Sequence, residues 1–93
     1  MEEWKQIPNY LDYKVSTLGN VKSKKSGKWV YLNPYKTKHG YYAIGLHKHN
    51  KRNIKFVHQL IAICFLGHDP SIKGYHVDHI DNNKGNNKIN NLQ

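Results

Sequence analysis

The chain has 93 residues, in which fifteen Lys and Arg face six Asp and Glu, for a formal charge of +9. That length allows one small domain, or two very small modules sharing a thin core, and part of its order is expected to depend on a partner or a bound metal. A single cysteine, Cys64, excludes an internal disulfide framework, and no apolar segment is long enough for a membrane span or a secretory leader. The expectation is an intracellular, cytoplasmic protein with no membrane partner, whose one thiol is a small hydrophobe rather than a nucleophile.

The charge is one-sided. Between Asp12 and Asp69 there is no acidic residue, while that stretch carries Lys14, Lys22, Lys24, Lys25, Lys28, Lys36, Lys38, Lys48, Lys51, Arg52 and Lys55. Such a run repels itself unless a polyanion neutralises it, and nucleic acid is the usual polyanion. Charge alone leaves a basic ribosomal component or a membrane-surface binder as alternatives.

In chain order, residues 1–35 read as short strands separated by turns. Tyr13–Ser16 alternates, Leu18-Gly19-Asn20 is a turn, Val21–Lys24 alternates again, and Trp29–Leu32 follows Gly27 and ends at Asn33-Pro34. Residues 36–56 read as a hairpin: a strand from Tyr41 to Leu46, a polar turn at His49-Asn50-Lys51, and a return over Asn53–Phe56. Its turn end is basic, as suits a ribbon lying along a nucleic-acid backbone or entering a groove. Trp4, Trp29 and the tyrosines are expected to be mostly core material for these thin sheets.

Residues 57–66 are the one good helix. Val57, Leu60, Ile61, Cys64 and Phe65 form a single apolar stripe, widened by Ile63 and Leu66, and Gly67 and Pro70 stop it. His58 falls on the first turn, where packing near a site is the expected role. Gly74–Ile80 is a short strand candidate. The asparagine-rich stretch from Asp81 to Leu92 is compatible with a disordered polar tail or with a loop whose side chains make specific contacts.

Seven histidines are many for this length. His39, His47 and His49 read as surface residues of the hairpin, although His47 and His49 share a strand face and could chelate. One Cys argues against structural zinc. Asp78-His79 carries more chemistry: a carboxylate as a hard ligand for Mg²⁺ or Mn²⁺, and an imidazole to take a proton from water, its other nitrogen held by an amide or carbonyl oxygen.

The segment containing Asp78, His79, Ile80, Asp81, Asn83, Lys84, Asn86, Asn87, Asn91 and Leu92 resembles the first part of the HNH motif of phage and intron-encoded homing-type endonucleases, which reads roughly D-H-I-D-x-N-K-x-N-N-x-x-x-N-L. Glu3-Trp4-Lys5, Ile7-Pro8, Tyr10, Tyr13, Val15-Ser16, Gly19, Val21 and Ser23 resemble the NUMOD4 motif that often precedes such nucleases. Gly40-Tyr41, Leu46, His58–Ala62 and Phe65 are similar to the strand and helix joining the two.

The resemblance implies an α+β fold: small antiparallel β-sheets with one core helix, followed by an incomplete ββα-metal (HNH) module. Residues 1–56 would be a NUMOD4-like basic β module, and 57–93 the core helix with the first part of the HNH module. It implies a metal-dependent DNA endonuclease, with one divalent ion, Mg²⁺ or Mn²⁺, and double-stranded DNA as partner. Asp78 would be the metal ligand, His79 the general base and Asn91 the residue orienting His79. Lys22, Lys24, Lys25, Lys36, Lys38, Lys48, Lys51, Arg52 and Lys55 would hold DNA, and Asn87, with Asn86, would shape the loop or touch the phosphate backbone. Asp81 suits an Asx turn at least as well as a metal. The family's motif continues past the position of Gln93, so these 93 residues alone are expected to be a weak nuclease or none. A non-catalytic DNA-binding module and a basic RNA- or ribosome-associated protein are the alternatives.

Overall fold

The structure, a computed structural model, describes residues 2–67 and 77–93. The first 32 residues form a four-stranded antiparallel sheet in sequential order: β1 (Trp4–Ile7), β2 (Tyr10–Ser16), β3 (Val21–Lys25) and β4 (Lys28–Leu32). Local chemistry sets its turns. Pro8 presets one turn residue and Asn9 takes φ 68, joining β1 to β2 beside a bulge at Gln6/Ile7. Ser26 and Gly27, at φ 50 and 80, supply the two left-handed residues of a primed hairpin turn between β3 and β4.

A three-stranded sheet follows, in the order β5 (Tyr35–Lys36), β6 (Tyr42–Lys48) and β7 (Lys51–Phe56). His49 and Asn50, at φ 53 and 63, close the β6–β7 hairpin in the same primed geometry. Helix α1 (Val57–Phe65) starts directly after β7 and ends with Gly67 at φ 69, beyond a Leu66 N–H donating to Ala62 O. A short 3₁₀ turn, η1 (Ile89–Asn91), closes the chain. No helix among the described residues is long and apolar enough to cross a membrane.

Both sheets, the helix and the C-terminal segment share one core. Val15 and Val21 come from the first sheet, Leu46 from the second, and Val57 and Ile61 from α1, all 0 % exposed. Ile7, Tyr13, Ile44, Leu60 and Leu92 complete it. The alternation of Tyr13 and Val15 on β2 with Val21 on β3 turns one face of the first sheet onto the helix. One bond ties the sheets together: the His47 backbone N–H donates to Tyr13 Oη at 3.0 Å.

Three expectations need correction. Trp4 and Trp29 are not core residues. The space between the sheets is filled by Tyr13 and aliphatic side chains, and the register places both indoles with Lys14, Lys22 and Tyr31 on the opposite face. There Lys22 Nζ lies 3.9 Å over Trp4, Lys14 Nζ lies 4.5 Å over Trp29, and Trp4 meets Tyr31 edge-on at 5.5 Å. Leu66 lies outside the helix and is 45 % exposed, so it does not widen the apolar stripe. Most of the expected strand at Gly74–Ile80 lies outside the described residues, and from Val77 to Ile80 there is no strand, only a bridge pairing His79 with Leu92.

Candidate active site and nucleic-acid interface

The segment from Val77 to Gln93 folds back on itself. Asp78 N–H donates to Gln93 O, Gln93 N–H to Asp78 O, and Ile80 N–H to Asn91 O, at 2.8–3.1 Å. This pairing holds Asp78 and His79 at the start of a loop whose shape comes from asparagine and aspartate side chains. Asp81 accepts from Asn83 N–H at 2.8 Å, which makes an Asx turn, and from Asn86 Nδ2 and Asn91 Nδ2 at 2.9 Å. Asn91 Oδ1 accepts from Asp81 N–H, and Asn91 Nδ2 also donates to Asn86 O. The Asn86 amide, followed by the Asn83 N–H and the Asn91 amide, holds the Asp81 carboxyl below the usual carboxylate range. The stretch is therefore an ordered loop with specific contacts.

His79 is 4 % exposed, and its Nε2 lies 2.7 Å from Asn87 Oδ1. A carbonyl oxygen only accepts, so a hydrogen bond here needs the proton on Nε2, and the neutral ring then keeps its lone pair on Nδ1. That tautomer is the one a general base needs. Asp78, next in the chain, is exposed.

The expectation that Asn91 orients His79 is corrected here. Asn91's amide is occupied by Asp81 and Asn86, and Asn87 makes the contact with the ring. Asn87 is 6 % exposed and its amide oxygen lies on His79, so that oxygen is committed to the ring.

Sequence reasoning also missed the aromatic wall behind His79. The His58 ring lies 4.9 Å from it, and Tyr41 stacks on His58 at 5.1 Å, with Phe56 completing the cluster. His58 is 5 % exposed, and its Nδ1 has no hydrogen-bond partner among the described residues. Burial, and then the neighbouring His79, lower its pKa to about 4, so it is a neutral packing ring at neutral pH. Lys84 clamps the loop to this wall: its Nζ donates to His39 O at 2.9 Å and lies 4.5 Å over Tyr41.

The basic residues are spread over both sheets. Lys24, Lys25, Lys36, Lys38, Lys48, Lys51, Arg52 and Lys55 are exposed, while Lys22 is half-buried between Trp4 and Trp29. Cross-strand register sets like charges directly opposite one another at Lys14–Lys22, Lys25–Lys28 and Lys48–Lys51. Each such pair is unfavourable in a free sheet and is relieved by a bound polyanion. On the second sheet, Tyr35, Gly45, His47, Arg52 and Ile54 share a face. Arg52 folds across Gly45, where any side chain would collide with it, and reaches the Tyr35 ring.

No group of three His, Cys, Asp or Glu residues that could hold a metal occurs among the described residues. His47 and His49 are both exposed and do not make such a group. Asp81 has its carboxylate committed to the loop, which leaves Asp78 as the carboxylate suited to a hard cation beside His79.

Comparison with known proteins decides what this arrangement is. A sequence model of the NUMOD4 motif matches residues 2–47, and a model described as HNH endonuclease matches residues 55–93. The chain belongs to the HNH endonuclease family. It is 45 % identical over 93 residues to DNA endonuclease I-HmuI of Bacillus phage SP01, covering 98 % of this chain and 51 % of that protein. It is 37 % identical over 91 residues to the uncharacterized HNH endonuclease L245 of Acanthamoeba polyphaga mimivirus, covering 98 % of this chain and 26 % of that one. The fold matches a solved structure described as DNA binding and cleavage by the HNH homing endonuclease I-HmuI, with a TM-score of 0.82 at 45 % identity, over 97 % of this chain and 50 % of that one. The α+β architecture is thus that of an HNH endonuclease, and this chain spans about half the length of I-HmuI and about a quarter of the mimivirus relative. HNH endonucleases generally use a divalent metal ion.

Proposed function

We propose that this chain is the DNA-holding and nuclease portion of an enzyme that hydrolyses phosphodiester bonds in double-stranded DNA, with His79 as general base. The observation that carries the reading is the 2.7 Å contact from buried His79 Nε2 to Asn87 Oδ1, which frees Nδ1 as acceptor next to an exposed Asp78. Nδ1 takes a proton from the attacking water, and Asn87 Oδ1 stabilises the charge that develops on the ring through Nε2–H. The His58 and Tyr41 rings fix the plane of the imidazole from behind.

Asp78 would hold a single Mg²⁺ or Mn²⁺, an ion that ordinarily binds through one or two carboxylates together with water and substrate phosphate. Bound there, the metal would supply charge stabilisation at the scissile phosphate. Lys48, Lys51, Arg52 and Lys55 of the β6–β7 hairpin, with Lys24, Lys25, Lys36 and Lys38, contact DNA phosphates, and Lys22 contributes from the face it shares with the two indoles. Residues 1–56 hold the substrate and 57–93 cleave it. Host-cell DNA reached from a phage genome fits the relative from Bacillus phage SP01.

The test is plasmid nicking with Mg²⁺ or Mn²⁺ by the 93-residue chain, His79→Ala and Asp78→Ala. The reading predicts weak nicking by the wild type and none by either variant, with DNA binding retained in both variants. Binding without nicking in all three would favour a fragment short of the full site or a non-catalytic DNA-binding module, and preference for structured RNA would favour the RNA-associated alternative.

A further inference from the structure

The residue that holds His79 is itself held by the other end of the chain. Ser16, 0 % exposed, shapes the β2–β3 turn: its Oγ accepts from the N–H groups of Leu18 and Asn20 at 3.2 and 3.1 Å. Gly19, at φ +89, donates its N–H to Ser16 O at 3.0 Å. The turn then touches the nuclease loop twice. Thr17 O accepts from Ile89 N–H at 2.8 Å. Gly19 lies so close to Asn87 that a Cβ added there would be 3.1 Å from Asn87 Cβ, 3.1 Å from its carbonyl oxygen and 3.2 Å from its carbonyl carbon. One contact tethers the segment 87–89 and the other sets how near it comes. Asn87 is 6 % exposed and has its amide oxygen on His79.

We propose that the Thr17–Gly19 turn of the N-terminal sheet is a positioning element for the His79 imidazole, acting through the backbone of Asn87. The inference rests on the reading that Asn87 holds His79. Under it, the four-stranded sheet does more than bind substrate: it fixes the geometry of the general base, and glycine at 19 is set by approach distance as well as by φ. A Cβ added at residue 19 requires the Asn87 backbone to give by a few tenths of an ångström, and that displacement passes to the 2.7 Å hydrogen bond its side chain makes.

Gly27 supplies a matched control. It occupies a turn of the same sheet at φ +80, but an added Cβ there meets nothing within 4 Å. Gly19→Ala and Gly27→Ala therefore carry similar backbone strain, and only the first presses on Asn87. A second perturbation, Ile89→Pro, removes the N–H that reaches Thr17 at the first position of a 3₁₀ turn, where proline is tolerated, and remains informative if Gly19→Ala fails to fold.

The readout is the His79 imidazole Nε2–H proton by nuclear magnetic resonance on the 93-residue chain, assigned against His79→Gln. It is observable because burial and the Asn87 bond slow its exchange, and Gly27→Ala shows how far loss of stability alone speeds that exchange. Expected are a protected signal in the wild type and Gly27→Ala, its loss in Asn87→Ala, and loss or rapid exchange in Gly19→Ala and Ile89→Pro. The proposal is overturned if the signal disappears in Asn87→Ala but persists unchanged in folded Gly19→Ala or Ile89→Pro. A signal that survives Asn87→Ala overturns instead the reading that Asn87 holds His79.

Discussion

Asn87→Ala is the substitution on which the account of the site depends most. It deletes the acceptor of a 2.7 Å hydrogen bond between two side chains that are 6 % and 4 % exposed. A buried donor left without a partner costs about 1–3 kcal/mol. In a domain of this size each kcal/mol moves the melting temperature by roughly 4–8 °C, so a fall of about 4–24 °C is expected. The catalytic effect adds to this. Freed from Asn87, the ring can rotate and exchange tautomers, and misplacement of a reacting group by about 1 Å costs on the order of 100-fold in rate. Nicking by Asn87→Ala should therefore fall by about that factor at saturating DNA, with affinity for duplex DNA unchanged. Asn91→Ala should instead loosen the Asp81 turn and leave the His79 contact in place. The assays are single-turnover plasmid nicking, gel-shift affinity and thermal melts on both variants. Wild-type nicking and an unshifted melt in Asn87→Ala would refute the assignment.

Three other outcomes follow from the same geometry. His58 takes a lower pKa when folded than its ordinary 6.5, so unfolding binds a proton: stability is full above pH 6.5, falls as pH drops from there to about 4, and is flat below, by at most about 3 kcal/mol. Urea midpoints from pH 7.5 to 4 should show this fall in the wild type and lose it in His58→Phe. Asp81, held below the usual carboxylate range by its asparagine partners, stabilises the loop above the ordinary carboxylate value, and that contribution disappears as pH falls through the lowered one. Asp81→Ala should therefore speed amide exchange at Asn83 and weaken the acid dependence of the 81–91 loop. Arg52→Ala, which removes one exposed cation of the hairpin, should reduce the salt slope of duplex DNA affinity by about 1 and weaken binding evenly across sequences.

What the sequence made legible were features with a local cause. The hairpin at His49-Asn50 and the turns at Gly19 and Gly27 appear where polar or glycine residues can take positive φ. The helix follows from its apolar stripe, and its stop from Gly67. Strands β1 and β5 were not legible, because Trp4–Ile7 and Tyr35–Lys36 are short and lack alternation; their neighbours in the sheets impose the extended form. The choice between Asn87 and Asn91 as partner of His79 was equally out of reach. Both are asparagines with the same chemistry, and selection between them comes from the pairing of residues 78–80 with 91–93, which turns Asn91 toward Asp81. The positions of Trp4 and Trp29 were misread because the core fills from several elements at once, leaving the indoles to shield lysines on the outer face.

The most direct test of the central claim is the ¹⁵N spectrum of the His79 ring at neutral pH, recorded on the 93-residue chain without metal. The account predicts a protonated Nε2 and a bare Nδ1, the form able to accept a proton from water. A ring protonated on Nδ1, with Nε2 bare, would contradict it, since the Asn87 oxygen could not then hold Nε2 and the basic nitrogen would be the buried one.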